Sequence, residues 1–277
     1  MILAFQNRKK IAAFAQGCAA TWVDLAGIVT NTEWPMIFSG ITIMAPIAQA
    51  RRHGLDYYYI DTGYFGNTKK KNYLRVTKNA YHNWFPIVER SRDRLDIANP
   101  DLTEFRRGNR ILLIPPDSKI CTTMNLGDPE QWIIKWIIDT TALIKKHTDR
   151  EIVVRRRTMN RTHRLVEDTF VNQLQQDINA VVVYTSNCAV ESAMHNIPVV
   201  SLGRTGATQV CPFDIQQIDS LPDVDSDLKE SWLRHLSYAQ FTHDEMLSGL
   251  AWAIVSIQQT VDILHHCDFP HQSSAQH

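Results

Sequence analysis

Apolar and polar positions along this chain follow two periods. Short runs rich in β-branched and aromatic residues, at 35–38, 57–60, 110–114, 152–154, 180–184 and 198–202, read as buried strands. Segments with an apolar residue at every third or fourth position lie between several of them and read as helices. The clearest unit is AVVVYTSNCAVESAMHNIPVVSLG at 180–203, in which two apolar runs flank about a dozen residues. Strands joined in that way run parallel, and their uninterrupted apolar character calls for helices on both faces. Within the intervening helix Ala189, Val190, Ala193 and Met194 form a packing stripe, while Asn187, Glu191 and His195 recur along a polar ridge.

The same reading organises the rest. Helices are expected over 8–20 and 41–53, the second ending at Gly54 with Arg51 and Arg52 in its last turn. Asp128-Pro129-Glu130 is a cap followed by proline at the first helical position, and Trp132, Ile133, Trp136, Ile137, Leu143 and Ile144 follow one face, with both tryptophans expected in the core. A helix over 165–176 leads into the central unit. Thr242 to Glu245 is a capping box that opens one long closing helix marked by Leu247, Leu250, Ala251, Ile254, Ile257 and Val261. Residues 86–108 read as a linker, and the acidic stretch 214–230 as an exposed loop.

The expected architecture is therefore α/β, with a first Rossmann-like half over 1–107, a second over 108–266, and a frayed tail over 267–277. No apolar run reaches the roughly 18 residues that span a bilayer, and the charges of MILAFQNRKK follow its apolar start, so a cytoplasmic location is the expectation. Five scattered cysteines without a CxxC pair read as reduced thiols. His265, His266, Cys267 and His271 lack metal-ligand spacing, and no metal is expected.

Net charge is zero but unevenly spread. Residues 1–110 carry 16 Lys/Arg against 9 Asp/Glu, a balance of +7, and the remainder carries −7. A basic first half suits a polyanionic partner. The segment holding Lys69, Lys70, Lys71, Tyr73, Arg75, Lys78, Tyr81, His82 and Trp84 interleaves cations with rings, as a nucleic-acid or sugar-phosphate groove requires; a solvated turn accounts for the lysines equally simply. In parallel sheets ligands sit outside the carboxyl ends of the strands. Thr185, Ser186 and Asn187 stand there, at a helix start suited to an anion, and Arg155, Arg156 and Arg157 follow the strand at 152–154.

Several of these residues carry a family likeness. TSNCAVESAMHNIPVVS resembles the donor-domain segment of sugar-nucleotide glycosyltransferases of the GT-B type, built from two facing Rossmann-like domains. TDREIVVRRR looks like the strand that presents basic residues to the nucleotide diphosphate in those domains. YYYIDTGYFG is similar to the Asp-x-Gly-Phe/Tyr segment of capsule-type transferases and of small phage-encoded, DNA-modifying relatives, and the stretch LSYAQFTHDEMLSGLAW also looks like the phage proteins. The Gly-rich donor loop of the type is missing near Pro115-Pro116.

The resemblance implies a metal-independent transferase with no cofactor beyond its nucleotide-sugar co-substrate, such as a UDP-sugar. Arg155, Arg157, Thr185, Ser186, Asn187 and Glu191 would bind the donor, Glu191 through the ribose. Asp61 would be the base for the acceptor hydroxyl, and Tyr64, Lys70, Arg75 and His82 would contact the acceptor. With the basic first half, the phage likeness points to a hydroxymethylated pyrimidine in double-stranded DNA as acceptor; a capsule or lipid-linked saccharide is the alternative. Two other classes stand beside it, a nucleotide-binding or nucleic-acid-binding module without turnover, and an aspartic protease suggested by Asp61-Thr62-Gly63. The protease needs a second such carboxylate, which the chain lacks.

Overall fold

A computed structural model describes residues 1–5, 9–24, 27, 30–39, 44–67, 72–123, 127–155 and 169–257. They form a mixed α/β structure with two sheets. The first sheet draws on strands β1 (Leu3–Phe5), β2 (Thr21–Val23), β3 (Met36–Ser39), β4 (Tyr57–Thr62) and β5 (Leu74–Lys78), with helices α1 (Lys9–Gly17) and α2 (Met44–Arg52) between them. After α3 (Asp93–Ala98) the second sheet uses β6 (Arg110–Ile114), β7 (Ile152–Val154), β8 (Ile178–Val183) and β9 (Val199–Ser201). Its helices are α4 (Ser118–Thr123), α5 (Pro129–Ile144), α6 (Phe170–Leu174), α7 (Cys188–Met194) and α8 (Ser226–Ser237). The described chain closes with β10 (Gln240–Phe241), α9 (His243–Leu247) and α10 (Leu250–Ser256). No described helix is long and apolar enough to cross a membrane.

Period-two alternation decides which helix covers which face. In β6, β8 and β9, Ile111, Leu113, Ala180, Val182 and Val200 point to one side, against Ile144, Ile137 and Trp136 of α5. Leu112, Ile114, Val181, Val183 and Val199 point to the other, against Leu174 of α6, Ala189 and Val190 of α7, and Trp232 of α8. All three pairings in this sheet are parallel, and both faces are covered as such a sheet requires. The strand order is β7-β6-β8-β9. The chain runs outward from β6 to β7, then crosses to β8 on the far side of β6, so its direction reverses between β6 and β8. The crevice that such a reversal opens lies at the carboxyl ends of those two strands.

The first sheet has the order β10-β5-β4-β3-β1-β2, parallel from β4 to β2 and antiparallel at β5 and β10. Tyr58 and Ile60 pack with Ile11 and Phe14 of α1, while Tyr57 and Tyr59 pack with Ile47 and Ala50 of α2.

Four features differ from expectation. The closing helix is interrupted: Gly249 adopts a φ of +81° and separates α9 from α10, while Val261 lies outside the described residues. Sheet pairing and core packing also attach residues 240–256, expected with the second half, to the first sheet, where Phe241, Met246, Ala251 and Val255 complete the core under α1. The acidic stretch 214–230 is not a plain loop, because Asp225 accepts from Leu228 N–H at 2.8 Å and starts α8, which buries Trp232, Leu233 and Leu236. Within 86–108, Leu95 and Ala98 anchor α3 in the core.

Gly17 explains how the returning segment closes on α1. A Cβ there would lie 1.9 Å from the carbonyl oxygen of Met246, backbone that has no side-chain freedom to yield. Gly17→Ala is expected to cost about 2 kcal/mol by overpacking. A lowered urea midpoint with an unchanged slope would show it; an unchanged midpoint would mean that α9 is not held this closely.

Candidate functional site

At the end of β4 the side chain of Asp61 is 25% exposed. Its Oδ1 accepts from Thr62 N–H at 2.8 Å and its Oδ2 from the Tyr59 hydroxyl at 3.2 Å. Beside it on β5, Arg75 is buried, with 4% of its surface exposed. A buried guanidinium must satisfy its donors internally, and this one does. Nε donates to Tyr81 O at 3.1 Å, and Nη1 to Thr62 O and to Asn187 Oδ1, each at 2.9 Å. Nη2 lies 3.5 Å from Asp61 Oδ2. Asn187 Nδ2 returns a bond to Gly63 O at 3.2 Å. Asp61, Arg75 and Asn187 thus form a continuous polar link from the first sheet to the start of α7.

That link alters the roles expected from sequence. Arg75 was expected at the acceptor, but its donors are used within the protein. Tyr64 and His82 are buried as well. The Tyr64 hydroxyl accepts from Asn83 N–H at 2.6 Å, and burial raises its pKa. Burial, helped by Arg75, pushes His82 well below the ordinary histidine range, so its ring is neutral, and its Nδ1 has no hydrogen-bond partner among the described residues. Tyr73 is buried too, and Tyr81 and Trp84 are half-buried. Arg75 and the rings of this segment therefore turn largely inward instead of forming an open platform, while Lys69 and Lys71 lie outside the described residues. Lys70 lies outside the described residues.

On the second sheet, Ser186 Oγ accepts from Cys188 N–H and Ser186 O from Ala189 N–H, both at 3.2 Å. Two donors expected to meet a phosphate are therefore satisfied within the turn, and the Asn187 side chain faces Arg75 instead of capping α7. Thr185 Oγ1 donates to Arg204 O at 3.2 Å.

One turn along α7 from Asn187 stands Glu191. It is half-buried, and no hydrogen bond or ion pair reaches its carboxylate from the described residues. Burial raises its pKa from 4.5 to about 7, against the opposing pull of nearby Arg155. Burial of the Cys188 thiol, with the charge of Glu191 adding to it, pushes that thiol up to about 11. Arg155, just past β7, donates through Nη1 to Gln173 Oε1 at 2.6 Å and lies over the Phe170 ring at 5.8 Å. Arg157 lies outside the described residues.

Some of this framework had no local signal. Gln240 Oε1 accepts from Tyr64 N–H at 2.7 Å and from Phe65 N–H at 3.2 Å, fixing the turn after β4 across 176 residues of chain. Trp132 and Trp136, expected in the core, are half-buried and meet Tyr184 edge-on at 5.7 and 6.2 Å. Among the described residues no group of three or more His, Cys, Asp or Glu is placed to hold a metal ion.

No family model matches the chain, and no curated relative matches it. Among solved structures it is similar to the beta Kdo 2,7 transferase of Thermosulfurimonas dismutans KpsC, at 10% identity and a TM-score of 0.47, over 93% of this chain and 99% of that one. It is also similar to the beta Kdo 2,4 transferase of the same KpsC, at 14% identity and a TM-score of 0.44, over 85% and 90%. Likenesses at this level identify neither a family nor an activity, so the case for a function rests on the geometry of the site.

Proposed function

We propose that the chain is a glycosyltransferase of two facing Rossmann-like halves. It moves a sugar from a nucleotide-sugar donor to a hydroxyl of a saccharide acceptor of the capsule or lipid-linked kind. The observation that carries the reading is Glu191, a half-buried carboxylate with no hydrogen-bond partner among the described residues and a pKa near 7, on the helix that follows β8. Burying such a group without a partner costs stability, and perturbed groups of this sort in a crevice mark functional sites. The two vicinal hydroxyls of a ribose supply the hydrogen bonds that the carboxylate lacks. Arg155 stands beside it to meet a donor phosphate, and the resemblance of 185–201 to donor-binding segments agrees with both roles.

In this reading Asp61 accepts the proton of the acceptor hydroxyl while the hydroxyl oxygen bonds to the anomeric carbon. The sugar–phosphate bond breaks, and its electron pair leaves with the phosphate oxygen, whose charge a guanidinium offsets. Thr62 N–H and Tyr59 hold Asp61 in position, and Arg75 ties it to the helix that carries Glu191. A saccharide is preferred to duplex DNA because Tyr73, Arg75 and His82, which a DNA groove would need at the surface, are buried.

The test is incubation with a panel of nucleotide sugars against saccharide acceptors and hydroxymethylated DNA, with products read by mass. A shifted saccharide that vanishes with Asp61→Asn is expected. A shifted nucleoside would restore the DNA acceptor, and donor binding without any product would leave a binding module.

The ribose contact also sets a pH dependence. Because Glu191 must be ionised to accept two hydroxyls, donor affinity should be constant above pH 8 and fall toward tenfold per unit below pH 6. Dissociation constants measured across that range check it, and a flat profile would remove Glu191 from the ribose.

A further inference from the structure

Arg204 lies just past β9, on the carboxyl edge of the second sheet. Its guanidinium carbon is 3.6 Å from the centroid of the Trp84 indole, which comes from the segment after β5 of the first sheet. Among the described residues no carboxylate pairs with Arg204 and no hydrogen bond uses its guanidinium donors. Both partners are fixed through their backbones. Trp84 N–H donates to His82 O at 3.1 Å, and Trp84 O accepts from Gln209 Nε2. Arg204 O accepts from Thr185 Oγ1, and the preceding Gly203 N–H donates to Tyr184 O at 2.8 Å.

At 3.6 Å the guanidinium carbon is in van der Waals contact with the indole, and the N–H groups of the planar fork match an oxyanion bidentately. The contact with the ring replaces no hydrogen bond, so the donors stay available. The row of strand ends places Arg155 beyond β7 at one side and Arg204 beyond β9 at the other, with the Thr185-Ser186 turn beyond β8 between them. Because Trp84 comes from the segment that follows β5, its contact holds Arg204, among the described cations of this row, toward the half carrying Asp61.

We propose that Arg204, positioned by Trp84, binds a phosphate of the donor on the side that faces the acceptor half. This rests on the donor reading above, and it names a residue that neither the sequence pattern nor the family likeness singled out. Trp84 is a positioning residue: it touches Arg204 and orients the fork.

Calorimetric titration of pyrophosphate, and of the diphosphates of uridine, cytidine, guanosine and adenosine, into wild type, Arg204→Met, Arg204→Lys and Glu191→Gln tests this. Loss of the fork should weaken both pyrophosphate and the best-bound nucleotide by about 10- to 100-fold, the size of one charge-assisted hydrogen bond. Lysine should recover little of that loss, since a point charge has no planar fork to stack. Glu191→Gln should weaken the nucleotide and leave pyrophosphate unchanged. If Arg204→Met binds both probes as wild type does while the nucleotide remains sensitive to Glu191→Gln, Arg204 only joins the two halves and the inference is overturned, with the donor reading intact. If wild type binds none of the probes, the donor reading falls and Arg204 falls with it. Thermal melts, expected to keep the Arg204 variants within a few degrees of wild type and Glu191→Gln at or above it, separate lost binding from lost fold.

Discussion

Glu191→Gln is expected to stabilise the fold at pH 8 and to disable donor binding. The carboxylate is ionised at pH 8 in a half-buried site where no described residue offers it a hydrogen bond, and among the described residues the field of Arg155 favours the charge. Raising a carboxyl from its ordinary 4.5 to about 7 corresponds to about 3 kcal/mol. The sign follows from linkage. A folded pKa above the unfolded one means that the native state holds its proton more tightly, so the contribution is fully present below pH 4.5 and is lost as pH rises through 7. The stability difference between wild type and Glu191→Gln should therefore be small at pH 4 and reach about 1–3 kcal/mol in favour of the variant at pH 8. Chemical denaturation at the two pH values checks it. Equal stability at both would mean that Glu191 is solvated or paired in solution and stores no cost for a ligand to relieve. A residue that lowers stability and whose removal lowers binding is what a site built for a ligand predicts, and a purely structural glutamate does not.

Arg75→Met should have the opposite character, a large loss of stability. Methionine fills similar volume but removes the guanidinium donors that reach Tyr81 O, Thr62 O and Asn187 Oδ1, and takes the Arg75 cation from beside Asp61. Removing one partner of a buried, hydrogen-bonded charge costs about 3–5 kcal/mol. Arg75→Lys should recover only part of this, because one ammonium cannot reach carbonyls on two sides and an amide across the boundary between the sheets. Urea unfolding gives the measurement, and a variant within 1 kcal/mol of wild type would show that the link is replaced by water. The structural coupling matters for catalysis in the proposed reading, since Arg75 is what relates the proposed base on β4 to the helix that carries Glu191.

These two residues also show what could be read from sequence. Glu191 was legible because the 180–203 unit is local: two apolar runs, a stripe of small residues and a polar ridge place it on an outward face without any distant contact. Asp61 was legible as a residue at the end of an apolar strand. The burial of Arg75, expected at the acceptor, has no local signal, because the carbonyls and the amide that make it tolerable come from Thr62, Tyr81 and Asn187, and the last is 112 residues away. The pairing of β10 with β5 was hidden for a similar reason, since a two-residue strand carries no alternation. Helix α8 was different. Trp232, Leu233 and Leu236 at helical spacing, after Asp225 as cap, were a usable signal that the acidic composition outweighed. Gly249 could likewise have marked the break in the closing helix.

The central claim is that a nucleotide docks its ribose on the Glu191 carboxylate. Calorimetric titration of the best-bound nucleoside diphosphate at pH 7, in two buffers of different ionisation enthalpy, tests it most directly. With a free-state pKa near 7, about half a proton should be released per nucleotide bound by wild type and none by Glu191→Gln, whose affinity should also fall. Nucleotide binding with no proton release, and with the same affinity in the variant, would contradict it.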